Sequence, residues 1–578
     1  MKPLYKALSF AISSIIFPSA YAATDLVLIN GKIFTANAQQ EHVQALAIEG
    51  DHIQAVGTNQ TIKKLINKNT QVIDLKGKSV FPGMIDSHSH AVLGGIQLGS
   101  ADLLDEILST DEIEKKVNDF HTKGLTLSDG TLKVLGVNGA AWVHADELNQ
   151  RFNQGQWHEA PLALMGSDYH TGWANDVVLK KAGINKQMIE SLPKAEQHNY
   201  GRLKNGEPNG LLVDAAWDKV SSSLPKYTEQ EVDQATERAV AYNNRYGITA
   251  WMDPAANVTP SDSIFSIVPT ETTVGILPGY KNLSQQGKLN AHVVALLVMN
   301  SKSTPKDIEV INKVRQQFQN VDHLYMSGVK IFADGILRYP MQSAAVLQPY
   351  KNSNKRGELL VDENHFGELV TALDKQGLIV HVHAIGDRAV RETLNAVEQA
   401  RQKQQSNIGH SITHMQLVSA EDIPRFKALN VYPSMQLAWA AADEYRIPPV
   451  KPYIDEKAFE LMYPVQSLKK AGAIIAGASD WPDSPPNPWL SIQQGITREG
   501  SYGVLNANER LERKDMFYAY TLNAAKLIGL SNMIGSLENG KKADFIILDR
   551  DVFNTPTHQL KDTEVLQTYF GGKLVYSK

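Results

Sequence analysis

The stretch FPGMIDSHSH, from Phe81 to His90, places two histidines one residue apart at the end of an apolar run. If the run is a β-strand, residues i and i+2 point to the same side, so His88 and His90 would present two imidazoles to one point. That geometry is typical of a metal-ligand pair. A chance pair of histidines in a loop is the alternative, and the stretch alone leaves both interpretations open.

The region that follows alternates short apolar runs with amphipathic helical patterns. The run HSITHMQ, for example, precedes SAEDIPRFKAL, which begins with a serine cap and an acidic first turn. Repeated strand–helix units predict a parallel sheet, and eight of them close a barrel. We expect barrel strands at 83–90, 247–253, 291–298, 326–333, 377–384, 410–416, 431–437 and 473–480. The predicted fold class is therefore α/β, with a (β/α)8 TIM barrel over residues 83–534.

Two further strand-like runs, 132–138 and 161–167, would bring the count to ten. Both fall in the long gap between the first and second expected barrel strands. A (β/α)8 barrel needs about 250 residues, and the middle of this chain is well above that. Residues 95–235 are therefore predicted to form an insertion. It would leave the barrel on the face that carries active sites in this fold, where it could serve as a lid.

Both ends of the chain have the sequence pattern of β-hairpins, whereas the middle alternates strand and helix patterns. Short alternating runs are interrupted by Asn-Gly and Gly-Asp near the start and by Gly-Gly near the end. Chain termini usually lie close together at a surface. Residues 23–82 and 535–578 are therefore predicted to form one small β-sandwich domain.

Composition and the first residues limit the classes of function. The formal net charge is −5 over 578 residues and no basic run is present, so a nucleic-acid partner is not expected. Residues 1–22 have a positive start, a short apolar core and the small-residue sequence AYA, which predict a signal peptide cleaved before Ala23 and a periplasmic or secreted protein. No later apolar stretch reaches about 18 residues, so no membrane span is expected. Since cysteine is absent, metal ligands must come from histidine, carboxylates or a modified lysine. A homo-oligomer is left open.

Metal-competent side chains fall at the ends of the expected barrel strands. Strands one, four, five, six and eight supply, in order, His88 and His90, Lys330, His383, His414, and Asp480. His381 competes with His383, because the two face the same side. We prefer His383, which lies nearer the mouth of the barrel, and expect His381 to be an interior or supporting residue.

This pattern resembles the amidohydrolase superfamily, in which HxH lies on strand one, lysine on strand four, histidines on strands five and six, and aspartate on strand eight. The motifs PGMIDSHSH, GVKIFADG, HAIGDRAV, HMQ, SDWP and TLNAAKLIGL resemble the amidohydrolase family 3 branch that contains N-substituted formamide deformylase. Some exported members of that branch are described as exoenzyme regulatory proteins. The resemblance covers nearly the whole mature chain.

The resemblance implies one or two divalent ions, with zinc the expected metal, since imidazole and carboxylate suit it. His88 and His90 would hold one ion together with Asp480, and His383 with His414 would hold the other. In this superfamily a carbamate, formed from lysine and carbon dioxide, bridges the metals, and Lys330 would carry it here. The alternative for Lys330 is a buried ion pair with Asp334 or another carboxylate.

The expected reaction is hydrolysis of a small-molecule, amide-type C–N bond other than a peptide bond, by a hydroxide that the metal activates. Asp480 would accept the proton of the water and pass it to the departing nitrogen. His170, Trp173 and Arg338 are candidates for substrate binding. Packing within the lid is the alternative for His170 and Trp173, and a surface ion pair is the alternative for Arg338.

Two other functions compete with this one. The first is an exported regulatory or binding protein that keeps the metal fold without turnover, and the second is a D-aminoacylase-type or deaminase-type member. The complete ligand set favours an enzyme.

Overall fold

A parallel eight-stranded sheet forms the centre of the computed structural model, which describes residues 24–167, 171–197, 199–213, 215–259, 267–300, 302–339 and 341–578. Its strands follow one another around the sheet in chain order, each parallel to the next. They are Met84–Asp86, Ile248–Asp253, His292–Val298, Leu324–Phe332, Ile379–Ala384, His410–His414, Val431–Met435 and Ala476–Gly477. The last strand meets the first through the N–H of Ser87, which donates to the carbonyl oxygen of Gly477 at 3.1 Å. The predicted (β/α)8 barrel is therefore confirmed as a nearly closed barrel.

Helices cover the outside of the barrel because each buries one apolar stripe. Along Asp387–Lys403 the buried positions recur every three or four residues, so this face packs inward. Thr228 and Glu231 form a capping box at the start of Glu229–Arg245. The helices outside residues 101–221 are Asn59–Ile62, Ala91–Leu98, Glu229–Arg245, Leu277–Gln285, Ile308–Phe318, Phe366–Lys375, Asp387–Lys403, Ile423–Ala428, Glu456–Glu460, Val465–Lys470, Pro488–Thr497, Arg513–Ala519 and Leu522–Leu527.

The two strand-like runs that exceeded the barrel count lie in a separate six-stranded sheet. Its strands, in spatial order, are Tyr200–Arg202, Pro208–Val213, Thr171–Ala174, Leu162–Gly166, Leu132–Val137 and Ala101–Asp102. The helices beside it are Thr110–Thr122, Ala145–Arg151, Asp176–Lys181, Lys186–Ser191, Lys194–Gln197 and Ala215–Ser221. This part of the chain has apolar clusters of its own. Helix Glu229–Arg245 packs with the barrel core instead, so the expected limit of 235 falls inside a barrel helix. The role of a lid stays a prediction.

Strands from both chain ends share a sheet. Its order is Lys573–Ser577, Val565–Phe570, Phe545–Leu548, Ser79–Pro82, Lys32–Phe34 and His42–Val43. A four-stranded sheet beside it contains His52–Gly57, Ala45–Glu49, Leu26–Ile29 and Gln71–Asp74. One apolar cluster joins residues of both ends, Leu46 and Phe545 among them. The limits of a separate domain stay a prediction. A short hairpin pairs Glu499–Gly500 with Gly503–Val504.

No helix among the described residues is both long and apolar enough to cross a bilayer.

Candidate metal centre

The two histidines of the opening motif lie in a loop at the mouth of the barrel. The first strand ends at Asp86, so the expectation of a strand over 83–90 is corrected, and His90 directly precedes helix Ala91–Leu98. Asp86 holds the loop, since its Oδ1 accepts the N–H of His88 at 3.1 Å and that of Ser479 at 3.0 Å. The two imidazole rings still converge, with centroids 5.3 Å apart. Their convergence therefore comes from an anchored loop rather than from the alternation of a strand.

Asp480 lies at the centre of this group. The eighth strand covers only Ala476–Gly477, so Asp480 is also in a loop, where its N–H donates to the carbonyl oxygen of His88 at 2.9 Å. Its Oδ1 lies 3.2 Å from Nε2 of His88 and 3.5 Å from Nε2 of His90. Its Oδ2 lies 3.7 Å from Nδ1 of His414. One carboxylate thus faces histidines from the first and sixth strands.

The backbone is strained at two of these positions. Asp480 has φ 59° and His414 has φ 74°, both in the left-handed region that side chains other than glycine rarely adopt. Such conformations cost on the order of 1–3 kcal/mol each and persist where the surroundings enforce them, often at functional sites. Here they aim both side chains at a common point.

The chemistry of this group fits a divalent cation. Ligand atoms from His88, His414 and Asp480 all lie within 4.8 Å of one another. Nε2 of His88 and Nδ1 of His414 are buried and have no hydrogen-bond partner in the described part of the chain. Buried polar atoms in proteins normally have a hydrogen-bond partner. Two buried nitrogens that lack one and face a carboxylate therefore indicate a bound group. A set of imidazole nitrogens and carboxylate oxygens suits zinc.

Lys330 lies within the fourth strand, as predicted, and is 1% exposed. Its Nζ lies 4.9 Å from the ring centroid of Phe332, and no carboxylate of the described residues lies within 4.0 Å of it. Burial lowers the pKa of Lys330 to about 7, against the opposing charge of Asp480. The alternative ion pair with Asp334 is not formed. The Asp334 carboxylate instead accepts three backbone N–H groups, those of Ala345, Ile385 and Gly386.

His381 contacts the Nδ1 side of the His88 ring, opposite the nitrogen that faces Asp480. Nε2 of His381 lies 2.6 Å from Nδ1 of His88, and Nδ1 of His381 lies 2.6 Å from Oγ of Ser411. If His88 donates from Nδ1 to His381, and His381 donates from its own Nδ1 to Ser411, the lone pair of His88 Nε2 is free for a metal. This leaves His383, rather than His381, as the candidate ligand from the fifth strand.

His383 uses one nitrogen to fix its ring. Its Nε2 lies 3.3 Å from the carbonyl oxygen of Gly335 and 3.7 Å from Oδ1 of Asp334, so Nε2–H donates there and Nδ1 remains for a ligand. The ring centroid is 4.6 Å from that of His414. His414 in turn stacks on Trp439, with centroids 5.7 Å apart and planes inclined by 11°. Ser411 and Trp439 carry no motif that sequence reasoning could have found.

Electrostatics keep the imidazoles neutral, which is the form that binds metal. Burial, with the charge of Lys330 as the next cause, lowers the pKa of His90 and of His383 to about 3. Burial likewise lowers the pKa values of His88 and His414 well below the ordinary value. Burial also raises the pKa of Asp480 well above its usual range, and a bound cation would oppose that rise.

The three residues expected to bind substrate have different outcomes. His170 lies outside the described residues. Trp173 is fully buried in the insertion, and its Nε1 donates to the carbonyl oxygen of Asn209 at 2.8 Å, so we correct the prediction and assign it to the core of the insertion. Arg338 is half-buried in the loop after the fourth strand, and within the described chain no carboxylate lies within 4.0 Å of its guanidinium. The surface ion pair expected as its alternative is therefore not formed.

Comparison with known proteins agrees with this geometry. A model of the amidohydrolase family matches residues 71–576. The chain is 28% identical to the Arabidopsis thaliana protein LONG AFTER FAR-RED 3, over 99% of this chain and 95% of that protein. It is 25% identical to N-substituted formamide deformylase of Arthrobacter pascens, over 96% of this chain and 98% of that enzyme. A crystal structure of an uncharacterised metal-dependent hydrolase from Pyrococcus horikoshii OT3 shares the fold, with a TM-score of 0.71, 23% identity, and coverage of 92% of this chain and 99% of that one.

Proposed function

We propose a function from the premise that this chain belongs to the amidohydrolase family and is a hydrolase of C–N bonds other than peptide bonds. Its metal-dependent site would cleave an amide-type bond in a small molecule. The observation that carries this proposal is the pair of buried, unpartnered nitrogens of His88 and His414 that face the Asp480 carboxylate. These nitrogens support a bound metal. A regulatory protein that keeps the metal without turnover would share them, so turnover is tested directly by the substrate screen below.

The residues divide into two ligand groups. His88 and His90 would hold one divalent ion with Asp480, whose Oδ1 faces both rings. His383 and His414 would hold a second ion. Lys330 would join the two as a carbamate, in which the neutral amine forms an N–C bond to carbon dioxide and releases a proton. Burial supports this step, because it lowers the pKa of Lys330 to about 7 and so makes the neutral amine available.

The ions, when bound, supply an activated water and polarise the carbonyl of the substrate. Asp480 would accept the proton of that water, a role supported by the position of its carboxylate between the histidines of the two ligand groups. It would then give the proton to the departing nitrogen, acting first as general base and then as general acid. His381 and Gly335 hold His88 and His383 in the orientations that this geometry requires.

An N-substituted formamide is the first substrate to test, because the chain matches a deformylase over nearly its whole length. N-acyl amino acids and cyclic amides are the next classes. Arg338 makes no ion pair within 4.0 Å in the described chain, although its charge opposes the rise that burial causes in the pKa of Asp483, and it could bind a substrate carboxylate. The sequence features of residues 1–22 support export to the periplasm or the medium.

The test combines metal analysis with a substrate screen. We expect one or two equivalents of zinc per mature chain, and hydrolysis of at least one of the three amide classes. Asp480→Asn should lower kcat by 10²-fold to 10⁴-fold, the usual contribution of general acid–base catalysis. Asp322→Asn, an exposed aspartate just before the fourth strand, is the matched control and should leave kcat unchanged. A protein that binds no metal, or an Asp480→Asn variant that is as active as the control, would overturn the assignment.

A further inference from the structure

A cavity of about 180 Å³ lies where the insertion meets the barrel. Its walls come from the end of helix Ala91–Leu98, from helix Glu229–Arg245 and from the insertion strand Leu132–Val137. None of the described residues of the candidate metal centre lines it. The cavity is therefore separate from the proposed catalytic site.

Two cations face this cavity without an acidic partner. Lys133 has no carboxylate within 4.0 Å and no hydrogen bond to its ammonium among the described residues. Burial alone lowers its pKa to about 8, which agrees with the lack of a counter-charge. Arg238 donates from Nε to the carbonyl oxygen of Gly95 at 2.8 Å and, in the same part of the chain, meets no carboxylate. Both residues are half-buried. Two positive charges around one space, neither with a carboxylate within 4.0 Å in the described chain, favour an anionic ligand.

The one carboxylate at the cavity is already engaged. Glu231 accepts the N–H and the Oγ1–H of Thr228, both at 2.7 Å, in the capping box of helix Glu229–Arg245. It offsets one positive charge but makes no ion pair with Lys133 or Arg238. The cavity thus retains a formal excess of one positive charge, which suits a monoanion.

The position of Arg238 depends on small neighbours. A side-chain carbon at Gly99 would lie 2.5 Å from Nη2 of Arg238, and one at Gly95 would lie 2.0 Å from the carbonyl oxygen of Ala235. Both distances are too short for a real contact. Gly95 therefore lets helix Ala91–Leu98 lie against helix Glu229–Arg245, and Gly99, directly after the first helix, leaves room for the guanidinium that donates to the carbonyl oxygen of Gly95.

The remaining walls contain both polar and apolar side chains. Ser100, Thr126, Tyr227 and Gln234 contribute polar groups, and Ile96, Leu125, Leu127 and Leu135 contribute aliphatic ones. An engineered cavity of about 150 Å³ accommodates benzene, so this one is large enough for a small ring. Aliphatic side chains next to cations without a carboxylate partner favour an organic anion with an apolar body over inorganic phosphate.

We propose that this cavity binds a small organic carboxylate, whose anionic group is recognised by Lys133 and Arg238 and whose apolar body packs on the leucine-lined wall. Such a ligand would contact the insertion and the helix that begins directly after His90. It would therefore connect the insertion to the helix that follows the proposed metal ligands.

Isothermal titration of the mature, metal-loaded protein with benzoate tests the site. We expect measurable binding of benzoate, at least tenfold weaker binding of the neutral analogue benzamide, and weaker binding of inorganic phosphate. Lys133→Met should lower benzoate affinity at least tenfold, equivalent to about 1.4 kcal/mol. Lys115→Met, at an exposed lysine on helix Thr110–Thr122, removes the same charge and should leave the affinity unchanged.

Hydrogen exchange then locates the ligand. Benzoate should protect amides near residues 96–100 and 125–135 in the wild type, and Lys133→Met should abolish that protection. Lys133→Gln is the second variant: it removes the charge but keeps a polar end group, and it should lose the protection as well. Three outcomes would each refute the proposal: no benzoate binding, equal binding of benzamide, or protection confined to the loops that carry the metal ligands.

Discussion

Replacing His381 with leucine should weaken metal binding without removing any proposed ligand. In the wild type, Nε2 of His381 lies 2.6 Å from Nδ1 of His88, and both side chains are fully buried. Leucine has a similar volume but cannot accept a hydrogen bond. The Nδ1–H of His88 would then be a buried donor without a partner, or the proton would move to Nε2, the nitrogen that faces Asp480.

The size of the effect follows from that one hydrogen bond. Loss of a supporting partner behind a ligating histidine usually lowers metal affinity 10-fold to 100-fold, which corresponds to about 1.4–2.8 kcal/mol. Since leaving a buried donor unsatisfied costs about 1–3 kcal/mol, the two figures agree. His381→Gln keeps an acceptor near the position of Nε2 and should therefore retain affinity to within a few-fold.

The assay is competition for zinc between the protein and a chelating dye, with thermal unfolding measured in parallel. His410→Leu is the matched control, because His410 is an equally buried histidine on the next barrel strand and is held by Asp374 at 2.9 Å. It should lower the melting temperature but leave zinc affinity unchanged. If His381→Leu binds zinc like the wild type, or if His410→Leu loses affinity equally, then His381 does not position His88.

Four further predictions concern separate parts of the molecule. Lys330→Ala should lose metal and activity, and small carboxylic acids should restore part of both by replacing the bridging oxygens; a variant with full metal content would exclude a bridging role. Lys133→Met should raise the free energy of unfolding at pH 7 by an amount on the order of 1–3 kcal/mol, because burial lowers the pKa of this lysine to about 8 from 10.5 while the half-buried ammonium keeps part of its hydration. The penalty in the wild type is complete below pH 8 and shrinks as the pH rises towards 10.5, so the gain should vanish over that range in chemical unfolding experiments, and a gain independent of pH would contradict the cause. Arg338→Gln should lower kcat/KM for substrates with a carboxylate about tenfold and leave neutral amides unaffected, since a charge-assisted hydrogen bond contributes about 1.5–3 kcal/mol; equal losses for both would exclude recognition of a carboxylate. Amino-terminal sequencing of exported protein should begin at Ala23, and retention of residues 1–22 would refute the signal peptide.

The barrel could be predicted because its strands are short, apolar and separated by helical patterns of regular length. Lys330 was predicted for the same reason, since a lysine within an apolar strand of a barrel must be buried. His88 and Asp480 could be predicted as ligands at strand ends, but the way in which the chain holds them could not. Their strands end several residues earlier than alternation suggested, and the geometry depends on the Asp86 anchor and on φ 59° at Asp480. Strand periodicity contains no signal for either feature.

The position of Trp173 could not be predicted from the sequence. An aromatic residue in a presumed lid could equally face a substrate or fill a core, and composition does not distinguish the two. The structure places it in the core because its strand is internal to the insertion sheet, between Leu162–Gly166 and Pro208–Val213. Ser411 and Trp439 were missed because each acts through a histidine on another strand or loop, a relation that depends on tertiary contact alone.

The sheet shared by the two chain ends has a consequence for biosynthesis. Strand Ser79–Pro82 pairs with Phe545–Leu548, and Lys32 forms an ion pair with Asp551, 519 residues away in sequence, at 2.6 Å. The strand Ser79–Pro82 emerges from the ribosome long before its partner Phe545–Leu548 is made, just as Lys32 precedes Asp551 by 519 residues. Contacts of such long range form late, since the intervening chain must first be ordered. The sheet therefore cannot form until the ribosome has passed these partner strands, and deletion of Phe545–Leu548, Val565–Phe570 and Lys573–Ser577 would leave Ser79–Pro82 with an unpaired edge.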